Sequence, residues 1–121
     1  MSAQRGNVLV AEDDLLIALA LEQCLQGYGW EAVEFVSSVA EGLAVLDGKP
    51  PALALVDLQL TDGRATPLIE ALAAAAVPFL ILTGYPCDGL TEPALRDAPC
   101  LTKPCSEEQL QAALQRVLAT A

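Results

Sequence analysis

The sequence has no histidine, few aromatic side chains and few positive charges. One Trp, two Tyr and two Phe among 121 residues mean that any core must be built from Leu, Val, Ile and Ala. Six Lys and Arg residues against sixteen Asp and Glu residues leave a net charge of -10. Nucleic-acid binders normally carry a basic face, and anionic membranes attract basic segments. We therefore expect neither direct nucleic-acid binding nor membrane docking.

Long apolar segments are also missing. The segment of residues 1–6 is short and polar, which excludes an apolar signal segment at that position. No stretch of roughly twenty residues is free of charged or turn-forming residues, so we expect no transmembrane helix. The length fits one domain, residues 1–121, and we expect a cytoplasmic protein.

The cysteines show no metal-binding spacing. Cys24, Cys87, Cys100 and Cys105 form no C-x-x-C pair, and the absence of His removes most templates for a zinc site. Three of the four lie in apolar stretches or beside predicted turns. We expect these cysteines to be reduced, partly buried thiols.

Apolar runs alternate with amphipathic stretches along the whole chain. The runs predict short strands at 7–11, 30–36, 52–57, 78–83 and 98–102. Because most of these runs do not alternate polar with apolar residues, both faces of those strands should be buried, as in a parallel sheet with helices on both sides. Residues 15–26 predict the first helix, and the proline- and glycine-rich segment 84–99 predicts a short or frayed fourth helix.

Polar residues mark the other predicted helix starts. Ser38 with Glu41 and Ser106 with Gln109 have the spacing of capping boxes, which predicts that helices begin there. Thr66 is followed by a proline and is predicted to be the N-cap residue of the third helix.

Charged and polar side chains follow four of the predicted strands. Glu12 and Asp13 come after the first strand, Asp57 ends the third, Thr83 ends the fourth, and Lys103 follows the fifth. In an open parallel α/β sheet, ligands bind at the carboxyl ends of the strands, near the point where the strand order reverses. We therefore expect these five side chains to surround one site.

Crowded carboxylates at such an edge need a cation. Two unit charges about 5 Å apart at an effective dielectric constant near 20 repel each other by roughly 3 kcal/mol. Oxygen ligands without His or Cys favour Mg2+ over zinc. A carboxylate nucleophile at Asp57, a metal ion, the Lys103 ammonium and the Thr83 hydroxyl together predict phosphoryl transfer through an acyl phosphate.

Each of these residues also has an ordinary structural interpretation. Glu12 and Asp13 could be acids that stabilise a helix N-terminus, and Asp57 could cap a turn. Thr83 and Lys103 each stand beside a turn-forming residue. The ordered combination, each member directly after a predicted strand, favours the functional interpretation.

This ordered set resembles the receiver domain of response regulators over about residues 7–117. The resemblance implies a flavodoxin-like (βα)5 fold, a doubly wound parallel sheet in the strand order 2-1-3-4-5. It implies that Asp57 accepts a phosphoryl group, with Mg2+, from a sensor histidine kinase or a phosphotransfer protein. A receiver catalyses only its own aspartyl phosphorylation and dephosphorylation, and switches the binding of a downstream protein.

The same resemblance assigns metal ligands. Asp13 and Asp57 would ligate Mg2+ directly, and Glu12 would act mainly through water. The backbone carbonyl of Gln59 would be a further ligand.

The resemblance also assigns the phosphoryl contacts and the switch. Thr83 and Lys103 would contact the phosphoryl oxygens, and the peptide bond from Lys103 to Pro104 would be cis. The aromatic switch residue of ordinary receivers stands three positions before the lysine, where this sequence has Cys100. The nearest aromatic residue is Tyr85, which either substitutes for the switch residue in part or only packs the loop.

A closer resemblance lies in residues 78–85, PFLILTGY, which are similar to the PFxFATGY signature of the "FAT GUY" receivers. These are mostly single-domain regulators, often associated with histidine kinases of the HWE type. The short segment after Asp57 is also typical of this group. Ile81 and Leu82 depart from it, since they stand in place of Phe and Ala.

Three other functions share this fold. A pseudo-receiver would bind partners without phosphorylation, but the complete set of acidic, hydroxyl and lysine side chains argues against it. An FMN protein would need a phosphate-cradling loop after the first strand, where Glu12 and Asp13 would repel phosphate. An aspartate-nucleophile phosphatase usually has a second Asp two residues after the nucleophile, where this sequence has Gln59.

Overall fold

The computed structural model describes residues 6–30 and 32–119. Its main sheet has five strands, β1 (Asn7–Ala11), β2 (Ala32–Val36), β3 (Leu53–Asp57), β4 (Phe79–Thr83) and β5 (Cys100–Thr102). They lie parallel in the order β2-β1-β3-β4-β5, which confirms the predicted doubly wound flavodoxin-like fold. A separate two-residue ladder pairs Gln59–Leu60 with Gly63–Arg64 directly after β3.

Helices connect the strands and cover both faces of the sheet. They are α1 (Leu15–Gly27), α2 (Val39–Asp47), α3 (Thr66–Ala74), α4 (Pro93–Arg96) and α5 (Glu107–Ala119). The four residues of α4 confirm the prediction of a short fourth helix, and a 3-10 turn at Cys87–Gly89 precedes it. In the described part of the chain, no helix is both long and apolar enough to cross a lipid bilayer.

The core has two halves because successive residues of each strand point to opposite faces of the sheet. Leu9, Val56 and Ile81 lie in the half covered by α2, α3 and α4. Val8 and Leu55 lie in the half covered by α1 and α5. All five side chains are fully buried, which explains why the central strands β1, β3 and β4 are apolar at consecutive positions. The edge strands differ, since β2 is mostly exposed and β5 is half-buried to exposed.

The predicted capping box at Ser106 is complete, whereas the one at Ser38 is half formed, because the Glu41 carboxylate accepts the N–H of Ser37 rather than that of Ser38. The backbone N–H of Glu41 donates to the Ser38 hydroxyl at 3.1 Å, and the N–H of Gln109 donates to the Ser106 hydroxyl at 3.0 Å. The Gln109 side-chain oxygen accepts from the Ser106 N–H at 2.8 Å. Each box supplies partners for N–H groups that the first helical turn leaves free.

The N-cap prediction for Thr66 is wrong. Ala65 occupies the N-cap position, with no side-chain cap, and Thr66 is the first helical residue. The Thr66 hydroxyl donates instead to the Glu92 carboxylate, far along the chain. This long-range partner outcompetes the local capping bond. The helix also ends at Ala74, because Ala76 takes a positive φ of 58°.

Asp62 supplies a helix cap that sequence reasoning missed. Its carboxylate accepts the backbone N–H groups of Val39 at 2.7 Å and Ala40 at 3.1 Å, at the start of α2. The Val39 N–H bond, the largest effect, lowers the pKa of Asp62 below its usual value. A cap from 23 residues away carries no local sequence signal.

The prediction that the cysteines are reduced is wrong for two of them. Cys87 and Cys100 form a disulfide with their Cα atoms 6.0 Å apart, whereas Cys24 and Cys105 are free, half-buried thiols. The two bonded cysteines are 13 residues apart in sequence and share no motif. They meet because the chain turns back after β4 and returns as β5 at its side.

Candidate functional site

Three carboxylates meet where β1 and β3 end. β1 pairs with β3 so that Ala11 lies opposite Val56, which brings the residues that follow together. One oxygen each from Glu12, Asp13 and Asp57 lies within 4.8 Å of the others. The Glu12 side chain is 2% exposed and that of Asp57 is 12% exposed, whereas Asp13 is open to solvent. The cluster is therefore a partly desolvated acidic pocket with one open side.

Lys103 reaches into this pocket from the end of β5. Its ε-ammonium lies 2.9 Å from Asp57 Oδ2 and 3.3 Å from Glu12 Oε1. Burial lowers the pKa of Lys103, but the hydrogen bond and charge of Asp57, together with Glu12, outweigh that effect and raise it. The lysine is therefore a fixed positive charge beside the Asp57 carboxylate.

One lysine does not neutralise the acidic cluster. Burial raises the pKa of Glu12 to about 7; the N–H of Asp14 opposes this shift, and the negative charge of Asp57 adds to it. The residual negative charge and the all-oxygen donor set fit a hard divalent cation such as Mg2+. Glu12, Asp13 and Asp57 are the residues that would hold it.

Thr83 ties the end of β4 to Lys103. Its backbone carbonyl accepts the N–H of Lys103 at 2.7 Å, and Asp57 lies opposite Leu82 in the sheet register. The Thr83 hydroxyl is buried and accepts the backbone N–H of Tyr85 at 3.0 Å. Thr83 therefore lies one residue past Leu82, the partner of Asp57 in the sheet, and its hydroxyl is hydrogen-bonded to the loop that follows β4.

The helix-capping role considered for Glu12 and Asp13 belongs to their neighbour. Asp14 is the N-cap of α1, accepting the N–H groups of Leu16 at 2.9 Å and Ile17 at 3.3 Å. This leaves Asp13 facing the cluster. The N–H of Gln59 donates to Asp57 Oδ1 at 3.3 Å, a long bond typical of a weak turn contact. The role of the Gln59 carbonyl as a metal ligand stays a prediction.

The residues around the predicted switch differ in what they contact. The Lys103-Pro104 peptide is cis, as the resemblance implied. Tyr85 is 65% exposed, so most of its surface faces solvent. Cys100, at the aromatic switch position, is bonded to Cys87. A ring cannot occupy that position here, and whether Tyr85 takes over its role stays a prediction.

An apolar groove lies beside the acidic pocket. It runs between α1 and the start of α5 and opens next to Lys103, with a volume of about 490 Å³. We call it the α1–α5 groove, and its apolar lining includes Leu16, Ile17, Leu21, Cys24, Cys105 and Leu110. Leu16 is 79% exposed, and Leu15 and Leu19 next to it are also exposed. Large exposed leucines in one patch are typical of a protein-binding surface.

Residues 8–115 match the model of a known family, described as the response regulator receiver domain. The chain belongs to this family. Receiver domains are signalling modules of two-component systems rather than classical enzymes. The acidic pocket at the carboxyl edge of the sheet is therefore the site to consider for phosphoryl chemistry in this receiver domain.

Two regulators illustrate the similarity in sequence. The receiver domain is 32% identical to the acid tolerance regulatory protein ActR of Rhizobium meliloti (strain 1021), over 89% of this chain and 57% of ActR. It is 29% identical to the phyllosphere-induced regulator PhyR of Methylorubrum extorquens, over 93% of this chain and 43% of PhyR. The chain thus spans about half the length of these relatives.

Solved structures show the same similarity in three dimensions. The receiver domain superposes on SdrG from Sphingomonas melonis Fr1 with a TM-score of 0.78 and 35% identity, covering 98% of this chain and 99% of SdrG. It superposes on the response regulator PhyR from Brucella abortus with a TM-score of 0.82 and 27% identity, covering 98% of this chain and 50% of PhyR.

Proposed function

We propose that this receiver domain accepts a phosphoryl group on Asp57 and thereby switches the binding of a downstream protein. The observation that carries the proposal is the pairing of the Asp57 carboxylate with the Lys103 ammonium at 2.9 Å inside the acidic pocket. A nucleophilic carboxylate held beside a fixed positive charge, with room for a cation, is the arrangement that phosphoryl transfer needs.

Each side chain has a role in the proposed reaction. An Asp57 oxygen attacks the phosphorus of a phosphohistidine, the bond from phosphorus to the imidazole nitrogen breaks, and the imidazole, which carries a proton on its other ring nitrogen, leaves as a neutral ring. Lys103 and Thr83 stabilise the negative phosphoryl oxygens. Asp13, Asp57 and the Gln59 carbonyl would hold Mg2+ directly, and the third carboxylate of the cluster, Glu12, would act through water. When bound, Mg2+ offsets the negative charge of the transferring group.

The same chain catalyses only its own phosphorylation and dephosphorylation in this proposal. Its output is a change in binding, with Thr83, Tyr85 and Cys100 as the switch candidates. The downstream partner is a protein rather than a nucleic acid, because the net charge of -10 would repel a phosphate backbone. The acidic pocket and both halves of the core are built on one five-stranded sheet, and the family model matches residues 8–115. Both observations support a single receiver domain.

The phosphoryl donor in this proposal is a sensor histidine kinase or a phosphotransfer protein in the cytoplasm. The signature at residues 78–85 supports a FAT GUY receiver and a kinase of the HWE type.

We propose that the donor docks on the α1–α5 groove, because its phosphohistidine must come within bonding distance of Asp57. Leu16→Gln should slow phosphoryl transfer from a kinase about tenfold by removing apolar contact area, while acetyl phosphate should phosphorylate the variant normally. Transfer is measured from a panel of autophosphorylated histidine kinases, using the fastest donor for the wild type.

Ala73→Gln is the control for this experiment, because Ala73 is exposed on α3, on the opposite face of the sheet. If Leu16→Gln slows phosphorylation by the kinase and by acetyl phosphate equally, the substitution has damaged the acidic pocket itself. Unchanged kinase transfer in Leu16→Gln would place the donor on another surface.

Acetyl phosphate tests the proposed function without a partner. Intact-mass measurement should show a gain of one phosphoryl group when the protein is incubated with acetyl phosphate and Mg2+. EDTA should abolish the gain, because the carboxylate cluster then lacks the cation that offsets its charge. No gain in the presence of Mg2+ would instead support a pseudo-receiver that binds partners without phosphorylation.

A further inference from the structure

A covalent bond connects the two segments that carry the phosphoryl contacts. The disulfide joins Cys87, in the 3-10 turn after β4, to Cys100, the first residue of β5. Cys87 lies four residues after Thr83, and Cys100 lies three residues before Lys103. The disulfide therefore cross-links the chain just after Thr83 to the chain just before Lys103, the two residues proposed to contact the phosphoryl group.

The segment enclosed by the disulfide has little regular structure. It contains only the end of the 3-10 turn and the four-residue helix α4. Leu90 and Leu95 anchor it in the core, and Glu92 accepts hydrogen bonds from Arg64 and Thr66. A segment with so little regular structure is restrained by a cross-link at its ends as well as by these anchors.

The Thr83 hydroxyl transmits this restraint to the site. It accepts the N–H of Tyr85, two residues before Cys87, so rotation of the Thr83 side chain toward a phosphoryl group would either break this hydrogen bond or move the start of the loop with it. The disulfide also holds Cys87 against β5, where its sulfur accepts the Thr102 hydroxyl at 3.4 Å. Movement of the loop away from β5 is therefore opposed while the disulfide is intact.

We propose that the Cys87–Cys100 disulfide is a redox switch that restrains the loop after Thr83 when oxidised and releases it when reduced, which speeds phosphorylation of Asp57. This inference rests on the proposed phosphorylation of Asp57 and adds a redox input to it. In the cytoplasm proposed above, protein disulfides are usually transient and redox-sensing rather than structural.

Both bonded cysteines lie at partly exposed positions. Cys87 and Cys100 are only half-buried, and Cys100 lines a cavity of about 300 Å³ between β5 and α5. A dithiol reductant is the co-reactant. One of its thiolates attacks a sulfur of the disulfide to form a mixed disulfide, and its second thiol displaces the protein sulfur. Two electrons and two protons pass to the protein, leaving two cysteine thiols and the reductant as a disulfide.

The test compares the full chain with and without dithiothreitol. We expect the oxidised protein to be two hydrogens lighter, and reduction to speed amide hydrogen exchange across residues 84–99 on the order of tenfold. Phosphorylation by acetyl phosphate and Mg2+ should be severalfold faster in the reduced protein. Cys87→Ser should behave as the reduced protein in both buffers, whereas Cys24→Ser, which removes a free thiol, should respond to dithiothreitol as the wild type does.

The outcomes separate this inference from the proposed function. Equal exchange and equal phosphorylation rates in the two redox states, or no disulfide in protein kept under air, would overturn the redox switch and leave the phosphorylation of Asp57 standing. A complete lack of phosphorylation in both states would overturn the proposed function and the rate effect together, whatever the exchange rates show.

Discussion

Asp57→Asn should gain no mass in acetyl phosphate and Mg2+, under conditions that phosphorylate the wild type. The carboxamide is a poor nucleophile and cannot form the acyl phosphate. Its side-chain oxygen can still accept a hydrogen bond from Lys103, which lies 2.9 Å from Asp57 Oδ2, so the fold should survive. Intact-mass spectrometry measures the phosphoryl gain, and circular dichroism checks that the variant is folded.

Asp47→Asn is the matched control for this result. Asp47 is an exposed residue at the end of α2, away from the acidic pocket, and its variant should be phosphorylated at the wild-type rate. A phosphoryl gain in Asp57→Asn equal to that of the wild type would move the acceptor to another carboxylate, of which Asp13 is the nearest exposed one.

Lys103→Met should change two measurable quantities in opposite directions. Loss of the ammonium removes a group that stabilises the phosphoryl oxygens, so phosphorylation should slow about 10²-fold. Mg2+ should bind severalfold more tightly, because the variant lacks the positive charge that pairs with Asp57 and Glu12 and competes with the cation. Calorimetric titration measures the affinity, and the rate of phosphoryl mass gain measures the reaction.

The paired readout distinguishes electrostatics from loss of structure. Lys49→Met removes an equal charge at an exposed position outside the site and should leave both quantities nearly unchanged. A Lys103→Met protein that binds Mg2+ more weakly than the wild type would contradict the competition between the two cations. Unchanged phosphorylation would remove Lys103 from the proposed reaction.

Local sequence patterns predicted most of the fold because the parallel sheet is buried on both faces. Consecutive apolar residues such as Val8 and Leu9 must then face opposite halves of the core, and they mark a strand without reference to any partner. Capping boxes at Ser38 and Ser106 are equally local, since donor and acceptor are three residues apart. These features need only short-range information.

The juxtaposition of Asp57 with Lys103 was also predictable, for a different reason. Each residue follows a predicted strand, and parallel strands bring their carboxyl ends to one edge, so order along the chain becomes proximity in space. The same reasoning placed Glu12 and Asp13 beside Asp57. It did not yield the separate role of Asp14 as the cap of α1, because three consecutive acids look alike in sequence.

By itself, the sequence determined the order of strands and helices and the residues that end each strand, because hydrophobic periodicity and capping act over a few positions. Only the tertiary structure decided which distant groups meet: Cys87 with Cys100, Asp62 with the start of α2, and Thr66 with Glu92. Those contacts depend on the path that each loop takes over the sheet. A loop can bring together two residues far apart in sequence, and no local sequence pattern predicts the hydrogen bond or disulfide that they then form.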